Sequence, residues 1–166
     1  MSTRGAIARP DGDGFKGVYH HWDSYPSGLG NTLFKLARVQ YRGDEEAMLK
    51  ALIDDHPAGW SDLNGCNVER PEGSFGPISG GECYCHGRND PAQEINEKNA
   101  SACGVEYVYV IDIQTGNMTI LSSYNPSGSK MIGMFGSGNP DATWKPIAVV
   151  NLTGAPEPDW DLIESH

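Results

Sequence analysis

The chain is poor in basic residues and in long apolar runs. Twelve Lys and Arg face 22 Asp and Glu, a formal net charge of -10. A nucleic-acid backbone is bound through a basic surface that releases counterions, so this balance makes nucleic acid an unfavourable partner and leaves only a local positive pocket, with Arg4, Arg9 and Arg38 as its candidates. No apolar stretch reaches the length of a membrane span. The opening Met1-Ser2-Thr3-Arg4-Gly5 has no apolar leader, so the expected setting is cytoplasmic, without a membrane partner. No internal repeat is visible. Cysteine is scarce as well: four residues, all between positions 57 and 104.

What is abundant is turn chemistry, with 21 Gly and 11 Pro among 166 residues. That length suits one domain, 1–166, able to bury a core without staples. Residues 3–9 and 15–22 read as two strands around PDGDG, a hairpin. Phe15, Gly17, Tyr19 and His21 share one face, and Lys16, Val18, His20 and Trp22 share the other. From Gly28 the period becomes helical through Leu29, Leu33, Leu36, Ala37 and Gln40, and a second helix is expected from an Asp44 cap to the stop before Pro57. VEYVYVIDIQTGNMTIL reads as two strands about a turn at Gln114 to Asn117, WKPIAVVNL at 144–152 as another strand, and a short helix follows Pro158. The expected class is α+β: an antiparallel sheet, helices packed on one face, and a long cysteine-containing excursion over 57–104. The 125–143 segment reads as a connection able to lie over a pocket.

The stretch YHHWDSYPSGLGN, residues 19–31, concentrates polar chemistry where a strand hands over to a helix. A helix start presents unpaired amides and a positive dipole end, which suit an anion. Ser24, Tyr25, Ser27, Gly28 and Gly30 are the ligand-binding candidates there, and hairpin pairing brings the Thr3-Arg4 end to the same exit. Arg4 is the fork for a phosphate or carboxylate. His21 is the candidate acid or base, and Asp23 orients it or binds a metal. The competing account is structural: Trp22, Tyr25 and Pro26 pack the corner, and Asp23 or Ser27 caps the helix.

STRGAIAR followed by YHHWDSYPSGLGN resembles a family of small proteins from bacteria, their phages, fungi and large DNA viruses. Their chains open with a Thr-Arg-Gly-like segment followed by a Tyr-x-His-x-Asp-Ser-Tyr-Pro-x-Gly-Leu-Gly-like segment. CYCHGR at 83–88 and the later EYVYVID are similar to actinobacterial members. The resemblance covers about the first 36 residues and part of the cysteine region. It implies that Arg4, His21, Asp23, Ser24, Tyr25, Pro26, Gly28 and Gly30 belong to the family's motif, and it brings no activity with it. A polar motif at such a junction favours a small anionic, phosphate-bearing and nucleotide-like ligand, with hydrolysis open. A structural or host-interaction protein is the alternative. A second alternative is an amino-terminal-nucleophile amidohydrolase using Ser2 after loss of Met1, against which stands the glycine that some members of the resembling family carry at that position.

Cys66, Cys83, Cys85 and Cys103 are separated by 16, 1 and 17 residues, with His86 beside the central pair. Disulfides are rare in a reducing cytosol. Four thiolates, or three with His86, would complete a structural zinc site and pin the excursion. Free buried thiols are the competing account. His56, at a helix end, reads as a partner of the helix dipole, though it could join either site.

Overall fold

The computed structural model describes residues 3–64, 81–85, 90–124, 143–154 and 156–165. Ser2, Cys66, His86 and most of the 125–143 connection lie outside them.

The amino-terminal hairpin forms as its alternation requires. Strands β1 (Gly5–Asp11) and β2 (Gly14–His20) pair antiparallel from Gly5↔His20 to Asp11↔Gly14. Gly12 turns the chain with φ of 58°. Gly17 is required at its place, because a Cβ there would lie 1.9 Å from the Ile7 carbonyl oxygen. A helical run follows: a π-helical turn (Pro26–Gly30), α1 (Asn31–Lys35) and a second π-helical turn (Leu36–Gln40). Asp44 caps α2 (Glu45–Leu49) by accepting the Ala47 amide at 3.1 Å, and a π-helical turn (Lys50–Asp54) carries the helix to its stop.

The excursion contains three short strands among its described residues: β3 (Trp60–Asp62), β4 (Glu82–Cys83) and β5 (Ile95–Asn96). Then come β6 (Tyr107–Asp112), β7 (Asn117–Tyr124), β8 (Thr143–Asn151) and α3 (Trp160–Glu164), the last capped by Asp159.

The strands make one sheet in the order β4-β3-β2-β1-β6-β7-β8, with β5 beside β2. The sheet is mixed, not antiparallel throughout. β1 runs parallel to β6, from Gly5↔Tyr107 to Ala8↔Val110, and β2 meets β3 in parallel at His20↔Trp60. The physical reason is the long return: β6 enters beside β1 only at Tyr107, after helices on one face and Ile95, Ala100 and Val105 on the other, so two locally antiparallel hairpins meet side by side in parallel. Strand alternation within each hairpin carries no information about that meeting.

Helices do pack on one face. Leu29, Leu33, Leu36, Ala37, Met48 and Leu52, all fully buried, lie on Ile7, Val18, Tyr109, Ile111, Met118 and Ile120 of the sheet. On the other face Ala6, Ala8, Phe15 and Val108 are covered by Ile95, Ala100 and Val105. Burial of this extent on both faces supplies the main stabilisation of the fold.

Gly17→Ala is expected to cost at least the roughly 3 kcal/mol at the top of the overpacking range, because the atom struck is backbone. Gly12→Ala has open space around it and should lose only about 1–2 kcal/mol from left-handed strain. Urea denaturation midpoints of the two variants check the ordering; equal losses would contradict the close approach of β1 and β2 at Gly17.

Candidate functional site

The end of β2 forms two different environments, because successive side chains leave the strand on opposite faces. His20 points to the helix side and is fully buried. Its Nε2 accepts the Leu63 amide at 2.9 Å, so its proton sits on Nδ1 and is donated to Ser24 Oγ at 2.8 Å. The Ser24 hydroxyl in turn donates to the His20 carbonyl at 3.1 Å. Every polar atom of the pair is satisfied, and burial holds the imidazole neutral with a pKa of about 3. Tyr109, buried behind it, donates its hydroxyl to the Ser24 carbonyl, while the Gly30 amide lies against the same phenol oxygen.

The helix start is closed by the same economy. Ser27 N–H donates to the carboxylate of Glu164 on α3. Gly28 N–H reaches the Tyr25 carbonyl at 2.9 Å, and Leu29 N–H reaches the Asp23 carbonyl at 3.1 Å. The donors expected to meet an anion are thus engaged within the chain, and a carboxylate of the protein itself occupies the dipole end. The glycines have packing reasons: a Cβ on Gly28 would lie 2.2 Å from the Asp23 carbonyl oxygen, and one on Gly30 would press on Tyr109 and Trp160 at 3.1 Å. Asp23 is exposed with φ of 52°, and the Asn64 side-chain amide bonds its carbonyl at 3.1 Å. Ser24, Tyr25, Ser27, Gly28 and Gly30 therefore build the corner.

Arg4 and His21 leave the strands on the opposite face, so the single pocket expected from the sequence is divided. Tyr19, not Asp23, is the partner of His21, with its hydroxyl 2.7 Å from Nδ1. Burial holds the Tyr19 phenol up at about 12 despite the nearby Arg4 guanidinium. Burial and then Arg4 hold His21 below the ordinary imidazole range. Tyr84 stacks on Tyr19 with centroids 6.5 Å apart, and Trp22 meets His21 edge-on at 4.7 Å. A hollow of about 350 Å³ opens beside Tyr19 and Tyr84, lined also by Ala58, Asp90, Pro91 and Gln93. Tyr19 and Tyr84 carry no strong motif signal, since an aromatic on a strand reads equally as core.

The three candidate arginines differ. Arg9 is paired with both oxygens of Asp54 at 3.0 and 3.1 Å. Arg38 donates to the Leu152 and Asn151 carbonyls at 2.6 and 3.2 Å and lies over the Phe34 ring. Arg4 is in neither of the ion pairs found among the described residues, Arg9–Asp54 and Lys50–Asp55. Its guanidinium crosses Gly104, whose φ is 79° and where a Cβ would sit 2.7 Å from Nη1.

The cysteines are also divided. Cys83 and Cys85 pack with the helix-side core, together with His56, and the three offer donor atoms all within 4.8 Å of one another, close enough to hold a metal. Cys103 belongs to the other face, where the Gln93 side-chain amide lies 3.8 Å from its sulfur and burial raises its thiol. Cys103 is thus set apart from the Cys83–Cys85 pair that it was expected to join, and Cys66 lies outside the described residues. His56 stands in the group where the sequence pattern favoured a helix-dipole role.

No protein-family model, curated protein or solved structure matches the chain. No helix among the described residues is long and apolar enough to cross a membrane.

His20 generates a pH signature. Its folded pKa lies below the unfolded value near 6.5, so the unfolded state takes up the proton first and acidification favours unfolding. Its contribution is fully present above about pH 6.5 and is lost at about 1.4 kcal/mol per pH unit between there and about 3. Urea stability measured from pH 7 to 4 should show a shallower slope in His20→Gln than in the wild type; identical slopes would refute the buried neutral imidazole.

Proposed function

We propose that the chain binds a small anionic ligand, phosphate-bearing and nucleotide-like, on the Arg4 face of the sheet. The observation that carries this reading is the contrast among the arginines: Arg9 and Arg38 are engaged by the chain, whereas Arg4 extends beside a neutral imidazole and a phenol. A guanidinium placed there grips a phosphate or carboxylate as a fork. Where Tyr19, protonated throughout the physiological range, donates to His21 Nδ1, the His21 Nε2–H becomes a second donor on the same side. Tyr84 and Trp22 offer ring surfaces for a planar group, and the hollow beside Tyr84 has the size of a small-ligand site.

This arrangement favours binding over turnover. A hydrolase would use His21 as a base, but its Nδ1 is taken by Tyr19, and Asp23 does not orient it. Asp23 thus falls outside the ligand-contacting set, and Ser24, Tyr25, Ser27, Gly28 and Gly30 act by holding β2 and the helix start in place.

Calorimetric titration with adenosine monophosphate and with inorganic phosphate tests the reading. Arg4→Gln should weaken both probes by about 10–100-fold, the worth of a charge-assisted hydrogen bond. Tyr84→Ala should weaken only the nucleotide. Asp23→Asn should leave both unchanged. An Arg4→Gln variant that binds as the wild type does, or a wild type that binds neither probe, sinks the proposal and favours the interaction-protein alternative. Loss of turnover but not of affinity in His21→Gln would convert the binder into a hydrolase.

A further inference from the structure

We infer that His56, Cys83 and Cys85 hold one zinc ion, and that this ion fastens the end of the second helix to the β3–β4 ribbon. The three donors come from separate places that the fold brings together. His56 follows the turn Lys50–Asp54 and is 1% exposed. Cys83 ends β4, is 6% exposed, and pairs across to Trp60. Cys85 lies two residues further, in the bend that follows β4, and that bend brings its thiol beside the Cys83 thiol and the His56 ring.

A tetrahedral zinc centre with Zn–S of about 2.3 Å and Zn–N of about 2.0 Å places neighbouring donors roughly 3.5–3.8 Å apart. The three donor atoms already lie within 4.8 Å of one another, so closure around an ion needs side-chain adjustment of about an ångström. The surroundings suit thiolate ligation. The Ala58 amide donates to Cys85 Sγ at 3.3 Å, an N–H···S bond that stabilises negative charge on sulfur. Two thiolates with one imidazole form a soft donor set that selects zinc over magnesium or calcium. Cys83 sits against the helix-side core, and the His56 ring lies 4.3 Å from the buried Trp60 ring, so the ion would be held between packed walls.

The placement also answers a question of chain length. Residues 57–104 contribute only strands of two or three residues among those described, too little ladder to order a segment of that size. Metal ligation at its two Cys and at the helix end supplies a non-local tie, and the binding free energy becomes folding free energy.

The test uses the full chain, stripped by chelator under reducing conditions and titrated with cobalt(II) and then zinc. One equivalent of cobalt should give thiolate-to-metal charge-transfer absorption and quench Trp60 emission, and zinc should displace it. Cys85→Ser should weaken zinc by more than the about 10–100-fold that loss of an outer-shell partner brings. Cys103→Ser should retain the full equivalent. Because His56→Gln can fail to fold, the imidazole is checked on the wild type by X-ray absorption of the zinc form, where one imidazole and at least two sulfurs are expected. No uptake, a sulfur-only shell, or a Cys103→Ser loss equal to that of Cys85→Ser would each overturn the assignment. The outcome is independent of phosphate and nucleotide binding at Arg4.

Discussion

The structure depends on one buried relay. Leu63 N–H meets His20 Nε2, His20 Nδ1–H meets Ser24 Oγ, and the Ser24 hydroxyl closes on the His20 carbonyl. A polar pair taken this far from water is tolerable only when each atom has a partner, and the arrangement leaves none over. The relay fixes where β2 ends, which way the chain turns at Asp23, and where Leu63 sits just past β3. Tyr109 extends it to the neighbouring hairpin through the Ser24 carbonyl, and Glu164 brings in the carboxyl-terminal helix through Ser27. Four parts of the chain distant in sequence converge on one corner.

That corner and the Arg4 face divide the labour of a motif that looks continuous in the sequence. Two adjacent histidines on a strand cannot share an environment, since alternation sends one into the core and one outward. His20 is spent on architecture; His21 faces Tyr19 and Arg4 on the other side of the sheet. The glycines that read as a cradle for phosphate are the places where backbone and rings come too close for a side chain.

Much of the fold is legible in the residues. The amino-terminal hairpin, the Asp44 cap, the apolar helix stripe of Leu29, Leu33, Leu36 and Ala37, and the β6–β7 pair all follow from local periodicity and turn chemistry. What is not legible is non-local. Nothing in either hairpin states that β1 lies parallel to β6, that Glu164 reaches Ser27, or that Cys103 and Cys85 stand on opposite faces. For the proposed site, Arg4 and His21 are indicated by residue type and pairing. Tyr19 and Tyr84 are not, because their role comes from what stands across the sheet from them. His56 is seen as a helix-end residue until the fold lays β4 against it.

The parallel seam between β1 and β6 shapes how the chain reaches this state. Each hairpin closes a short loop and can form early, but the seam joins Gly5 to Tyr107 and must wait for some hundred residues to be gathered. Such a topology concentrates the ordering cost in one late step, at which the two halves of the sheet present their unpaired edges to one another. Until then those edges are open to other chains as well as to each other, which makes the central seam the point where crowding and synthesis rate bear most directly on the yield of native protein.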